Sequence, residues 1–159
     1  MKVADKKSKS RARLNPTEEA AAKAYVLEEQ VGFLLRKVNQ RASEIFQSVM
    51  SDFDVTPMQF AVLAKLDDIG PVSQNLLGRH VAMDPATIFG VVKRLAGRKL
   101  VHQFADGSDA RLRLIELTDS GRDLVRRMKA IGTVVSQRTL DPLTQAEARS
   151  FLALLAKLE

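Results

Sequence analysis

At 159 residues and 45% hydrophobic, the chain is long enough to bury a core as one domain, with or without an extension; the absence of cysteine excludes a disulfide framework, a thiolate nucleophile and a cysteine zinc site. No apolar run nears the roughly 18 residues of a membrane span and no apolar segment follows the N-terminal lysines, so a cytoplasmic protein without membrane contact is expected. The net charge of +6 is concentrated: residues 1–14 carry +5, residues 93–113 carry +4 and the remainder −3, the footprint of a nucleic-acid binder or, read more plainly, a solvated tail and ordinary surface lysines.

Residues 1–16 lack any apolar period and are expected to be a disordered basic tail. Thr17 is the expected cap of one long helix to about Met50, whose stripe runs through Leu27, Val31, Leu34, Leu35, Val38, Ala42, Ile45, Phe46 and Val49. Thr56-Pro-Met-Gln59 is a capping box with proline at the first helical position, opening a helix to about Leu66, and Ile69-Gly-Pro71 ends it. Ser73 is the expected cap of a short helix over Leu76, Leu77 and His80. Asp84-Pro85 then opens a helix that places Ile88, Val91, Val92 and Leu95 on one stripe and Ala86, Gly90, Lys93 and Gly97 opposite, flanked by Thr87, Phe89 and Arg94. Past Leu100 the period changes to that of a hairpin, with Val101, Gln103, Leu112, Leu114, Glu116 and Leu117 around the polar tip Asp106-Gly-Ser-Asp109. Thr118 caps a helix to about Arg138, and Thr144 with Glu147 caps a last one carrying Phe151, Leu152, Leu154, Leu155 and Leu158.

A short helix, a tight turn, a second capped helix and a hairpin make a winged helix-turn-helix, so the fold class is mainly α with a small β-hairpin wing. In that arrangement the second helix enters the major groove. Ala86 and Gly90 would then be small to let the backbone approach base edges, Thr87 would reach a base or phosphate, and Lys93 and Arg94 would meet phosphates. Phe89 flanks that face, and Ser73, Gln74 and Asn75 open the first helix of the pair; all four join the expected DNA-contacting set. Asp109, Arg111 and Arg113 place the wing near the adjacent minor groove. A tight helix–helix contact is the alternative for Gly90, and a solvated loop the alternative for the wing arginines. The apolar stripes of the terminal helices exceed what one small domain covers, which predicts a homodimer; simple packing on the first helix is the alternative.

These residues resemble the MarR family of bacterial transcription regulators over roughly residues 25–158. The carriers are Thr56-Pro-Met-Gln-Phe60, Asp84-Pro-Ala-Thr-Ile88, Lys93-Arg-Leu95, and Asp106-Gly-Ser-Asp109-Ala-Arg111 leading into Leu117-Thr-Asp-Ser-Gly121. The resemblance implies one MarR-like domain over 17–159, with a DNA-binding lobe at about 55–118 and dimerisation helices at about 17–50 and 119–159. It further implies an inverted-repeat operator on the nucleoid, repression of nearby genes, and release by a small ligand. By position, Arg111 would be the minor-groove arginine and Asp109 the acid that orients it. Three positions depart from the family pattern: Phe89-Gly90 stand where many members carry a polar or basic base-reading pair, Lys99 where glycine is frequent, and Ser108 where a tip arginine is frequent.

Asn39 and Arg41 lie on opposite edges of the first helix's stripe, each about 80° from its centre, so both can lean toward a pocket that would suit an anion with an apolar body. In the family such a pocket often admits aromatic carboxylates or their thioesters, and the run Leu34-Leu-Arg-Lys…Gln-Arg41 looks like the branch that controls aromatic-acid catabolism. Arg36 points elsewhere on the wheel but would face a pocket shared with a second subunit. Phe46 and Met58 are apolar lining candidates, with ordinary core packing as the alternative. The rival function is a ligand-independent DNA-architectural protein. An enzyme is not expected, since His80 and His102 lie in different elements and no nucleophile sits beside a base; neither metal nor cofactor is expected.

Overall fold

The computed structural model describes residues 15–107 and 111–158, so the expected tail over residues 1–14 and the wing residues Ser108 and Asp109 lie outside the described residues. Among the described residues, seven α-helices and three short strands follow in the order α1 (Pro16–Ala24), α2 (Val31–Val49), α3 (Pro57–Ile69), β1 (Val72–Ser73), α4 (Gln74–His80), α5 (Pro85–Gly97), β2 (Val101–Ala105), β3 (Arg113–Leu117), α6 (Asp119–Leu140) and α7 (Gln145–Leu155). Among the described residues no helix is long and apolar enough to cross a membrane. The chain divides into two compact units within α2, between Lys37 and Val38.

The first unit corrects the expectation of one helix from Thr17 to Met50. Its cap is Asn15, whose side chain accepts from Glu18 N–H (2.9 Å) while the Glu18 carboxylate accepts from Asn15 N–H (2.7 Å). With Pro16 at the first helical position this is a capping box two residues earlier than Thr17, so Asn15 and Pro16 belong to α1 and not to the tail. The helix stops at Ala24: Tyr25 and Val26 are extended, residues 27–29 form one 3-10 turn, and the Gln30 side-chain Nε2 donates to Val26 O at 2.8 Å. α1 buries no residue, so burial does not favour one continuous helix over the break at β-branched Val26 and the competing Gln30 side-chain bond.

In the second unit α3 starts as expected, with Thr56 and Gln59 capping reciprocally, but continues one turn past Leu66 to Ile69, where Gly70 at φ +74° ends it. Ser73 stands at the cap position of α4 but its side chain makes no capping bond. It belongs instead to β1, a two-residue strand with no legible period that pairs antiparallel with β3 (Val72 opposite Ile115, Ser73 opposite Leu114). β2 pairs with the other edge of β3, giving the sheet order β1-β3-β2. The core gathers Leu63 and Leu66 of α3, Leu77 of α4, the stripe of α5, Ile115 of β3, and Val125 and Met128 of α6. Phe46 of α2 joins it, its ring 5.8 Å from that of Phe60.

Two glycines mark where backbones touch. A methyl on Gly121, in the first turn of α6, would fall onto the carbonyl oxygen of Leu100, which itself accepts from Thr118 N–H. A methyl on Gly78 would stand 3.1 Å from Met83 O and 3.2 Å from Ile88 Cγ2, where α4 crosses the start of α5. Both sites set the spacing of the helix pair and of the wing root.

Candidate nucleic-acid interface

The turn between α4 and α5 is built by a Schellman arrangement. Ala82 N–H donates to Arg79 O (3.4 Å), Met83 N–H donates to Gly78 O (2.9 Å), and Ala82 sits at φ +51°. Asp84 then opens α5: Oδ1 accepts from the amides of Ala86 and Thr87, both at 2.9 Å, and Oδ2 accepts from the Thr87 hydroxyl at 2.6 Å. The Thr87 hydroxyl bond, followed by the Thr87 amide, holds the Asp84 carboxyl below the usual carboxylate range. The Thr87 hydroxyl is therefore engaged within the cap.

Ile88, Val91, Val92 and Leu95 are buried, fixing which way the helix faces. Ala86, Lys93 and Arg94 are exposed, and Phe89 is 58% exposed. A methyl on Gly90 would meet only the tip of the Arg94 guanidinium, at 3.7 Å, and one on Gly97 would meet nothing within 4 Å. Helix packing therefore does not account for the smallness of Gly90. The helix ends in a second Schellman arrangement, Lys99 N–H to Ala96 O at 2.9 Å and Leu100 N–H to Leu95 O at 3.0 Å, with Lys99 at φ +58°. The Thr118 hydroxyl donates to Lys99 O at 2.7 Å, tying that turn to the start of α6.

Arg113 begins β3 and Arg111 lies two residues before it, both exposed, at the outer end of the hairpin; Asp109 lies outside the described residues. At the hairpin root His102 Nε2 and Glu116 Oε1 pair across the strands at 2.9 Å. Gln74 and Asn75 form the first turn of α4. Sequence reasoning missed Arg98, one turn beyond Arg94: its guanidinium donates to the carbonyls of Asp54 and Phe53 (the latter at 3.3 Å) and lies 3.8 Å from the Asp54 carboxylate. The spacing of Arg94 and Arg98 was the available signal. An open cleft of about 490 Å³ lies there, lined by both arginines with Gln47, Thr56 and Gln59.

None of the five expected ligand residues lines that cleft. Arg36 is in the first unit. In the second, Arg41 donates to Arg138 O at 3.3 Å, Asn39 O accepts from the Ser43 hydroxyl, Phe46 is buried in the core, and Met58 is exposed on the first turn of α3. Among the described residues no group of three or more His, Asp or Glu side chains is placed to hold a metal ion.

A two-helix unit with a sharp turn, a second helix bare and basic on one face, and a three-stranded wing define the winged helix-turn-helix class of DNA-binding transcription regulators. The model of the MarR family matches residues 55–112. The transcriptional repressor NicR of Pseudomonas putida is 41% identical over 134 residues, 84% of this chain and 85% of that protein, and the chain belongs to the MarR family. Among solved structures, BpsR of Bordetella bronchiseptica, whose DNA binding is regulated by 6-hydroxynicotinic acid, is 40% identical with a TM-score of 0.79, over 84% of this chain and 96% of that one. PcaV of Streptomyces coelicolor, solved with its natural ligand, is 30% identical with a TM-score of 0.77, over 84% of this chain and 94% of that one.

Proposed function

We propose that the chain is a homodimeric repressor that binds an inverted-repeat operator through α5 and the wing and is released by an aromatic carboxylate or its thioester. The observation that carries the DNA half is the face of α5: a helix start fixed by Asp84, a buried opposite stripe, and a front of Ala86, Gly90 and Lys93 in which only the tip of the flexible Arg94 side chain stands before Gly90. Thr87, Phe89 and Arg94 edge that face, Ser73, Gln74 and Asn75 would meet the flanking phosphates, and Arg111 and Arg113, with Asp109, would extend the contact from the wing. Two copies reading half-sites one helical turn apart multiply a modest single-site affinity.

For the effector half, Asn39 and Arg41 supply the polar groups for a carboxylate, with Phe46 and Met58 as apolar candidates, and Arg36 would serve a pocket shared with the second subunit. The behaviour of BpsR makes 6-hydroxynicotinic acid the first probe. A ligand can release DNA only if it binds the DNA-free form more tightly, so release and weakened ligand binding on DNA are one coupling. The test is a mobility-shift titration of the full-length protein on duplexes it selects from a random pool, against scrambled duplexes, with and without 6-hydroxynicotinic acid. The proposal expects a preference of about 10³ or more for the selected sequence and loss of the shift with the acid. Comparable affinity for selected and scrambled DNA, with no response to aromatic acids, would overturn it in favour of a DNA-architectural protein.

A further inference from the structure

We propose that Phe89 is a specificity-determining residue that reads the 5-methyl groups of thymines in the major groove, an inference that rests on α5 being the groove-reading helix. Phe89 is an aromatic ring, 58% exposed, on a helix whose other outward residues include Lys93 and Arg94. A large apolar side chain more than half exposed beside cations suits an occupant that is both polyanionic and locally apolar. Duplex DNA meets both conditions: its phosphates answer the +4 charge of residues 93–113, and the thymine methyl is the apolar group that base edges present in the major groove.

The neighbouring groups point the same way. The Thr87 hydroxyl donates to the Asp84 carboxylate at 2.6 Å, which leaves its methyl rather than its O–H for an incoming base. Ala86 offers a methyl and Gly90 no side chain. Among the residues of its first two turns, then, the outward side chains of α5 offer methyl and ring carbon to a base edge, and the nearest group able to make paired hydrogen bonds is the Arg94 guanidinium that reaches back toward Gly90. Phe89 stands about 60° round the helix from Ala86, opposite in sense to Arg94, so the ring closes one edge of the face and the guanidinium the other. The ring also borders an open groove of about 320 Å³ lined by Gln74 of α4, Val92 and Lys93 of α5 and Gln103 of β2. That location puts it at the junction of the helix pair and the wing.

Replacing thymine by uracil removes only the 5-methyl group and keeps pairing, minor groove and backbone. The experiment uses the full-length protein on a duplex it selects from a random pool, remade with uracil at one half-site thymine at a time. For the wild type, uracil at the contacted positions weakens binding about three- to fivefold per methyl, the factor expected for one buried methyl-sized group. Phe89→Ala binds the thymine duplex more weakly and does not distinguish it from the uracil duplex, while Phe89→Leu keeps part of the discrimination. Wild-type affinity unchanged by uracil at every half-site position would overturn the inference with DNA binding intact. So would a Phe89→Ala protein that still discriminates thymine from uracil, which would assign the reading to Ala86 or Thr87. Failure of the pool to yield any preferred sequence would instead remove the DNA-reading function itself.

Discussion

Lys99 adopts φ +58°, a left-handed conformation in which a side chain costs about 1 kcal/mol that glycine avoids, and it does so at the C′ position of a Schellman turn. Lys99→Gly is therefore expected to raise stability by about 1 kcal/mol, read as a higher midpoint in urea with unchanged slope. Unchanged or lowered stability would mean that the lysine side chain contributes packing that the backbone strain conceals. The glycines present behave oppositely according to what faces them. Gly121→Ala drives a methyl onto the Leu100 carbonyl and should cost about 3 kcal/mol, whereas Gly78→Ala meets contacts at 3.1–3.2 Å and should cost about 1 kcal/mol. Equal costs, measured by denaturant unfolding, would show that the contact between α6 and the Leu100 carbonyl relaxes freely. These demands on the backbone were partly written in the sequence: the departure at Lys99 was visible against the family pattern, while the crowding at Gly121 depends on a carbonyl 21 residues earlier, which no local pattern encodes.

At the scale of elements, side-chain caps were the most legible signals. Thr56 with Gln59, Asp84, Thr118, and Thr144 with Glu147 all start helices where their short-range chemistry says they should. Ser73 fails because its residue is drawn into β1, a pairing with β3 that two residues cannot announce. The break after Ala24 was hidden for a related reason: an apolar period reports a face, and the face survives a break when nothing buries it. α6 is tied to α3 by Lys129, whose ammonium donates to Asp67 and Asp68, each at 2.6 Å. The Asp67 bond, then that of Asp68, raises the Lys129 pKa above its ordinary value, and the Lys129 bond lowers that of Asp68. A raised lysine stabilises below its unfolded pKa and loses this as pH rises through the folded value; a lowered carboxylate stabilises above its unfolded pKa and loses this as pH falls through the folded value. Lys129→Met should therefore lower Tm modestly and evenly across neutral pH, with the difference from wild type closing in acid below the normal carboxylate range. A difference that persists unchanged into strong acid would show that the charge pairing contributes nothing.

For the whole molecule, the winged helix-turn-helix was the part a sequence specifies best, because helix pair and wing are consecutive and their core stripe lies within α5 itself. The proposed effector site was less legible: Arg36, Asn39 and Arg41 came from one helical wheel and a resemblance, Phe46 and Met58 were added as apolar candidates from α2 and α3, and none of the five lines the cleft beside Arg94 and Arg98. Apolar positions toward the chain ends are exposed in the single chain, among them Leu34, Leu35 and Val38 on α2 and Leu152 and Leu154 on α7, while the stripe of α6 is buried or half-buried. If they are dimer surface, sedimentation should give a particle near twice the 17.6 kDa chain, and Leu154→Asp should weaken association and operator affinity together. A monomer of unimpaired affinity would remove dimerisation from the account.

The central claim, that the bare face of α5 lies against DNA, is tested most directly at Gly90. Gly90→Leu puts a good helix former where the fold leaves room, so Tm should hold or rise, reflecting up to about 0.8 kcal/mol of helix propensity. The same side chain would stand between the helix backbone and the base edges. Fluorescence-anisotropy titration of this variant on the selected duplex should show a loss of roughly tenfold or more, the scale of a disrupted base contact, in a protein at least as stable as the wild type. Wild-type affinity in that stable variant would mean that this face of α5 does not meet DNA.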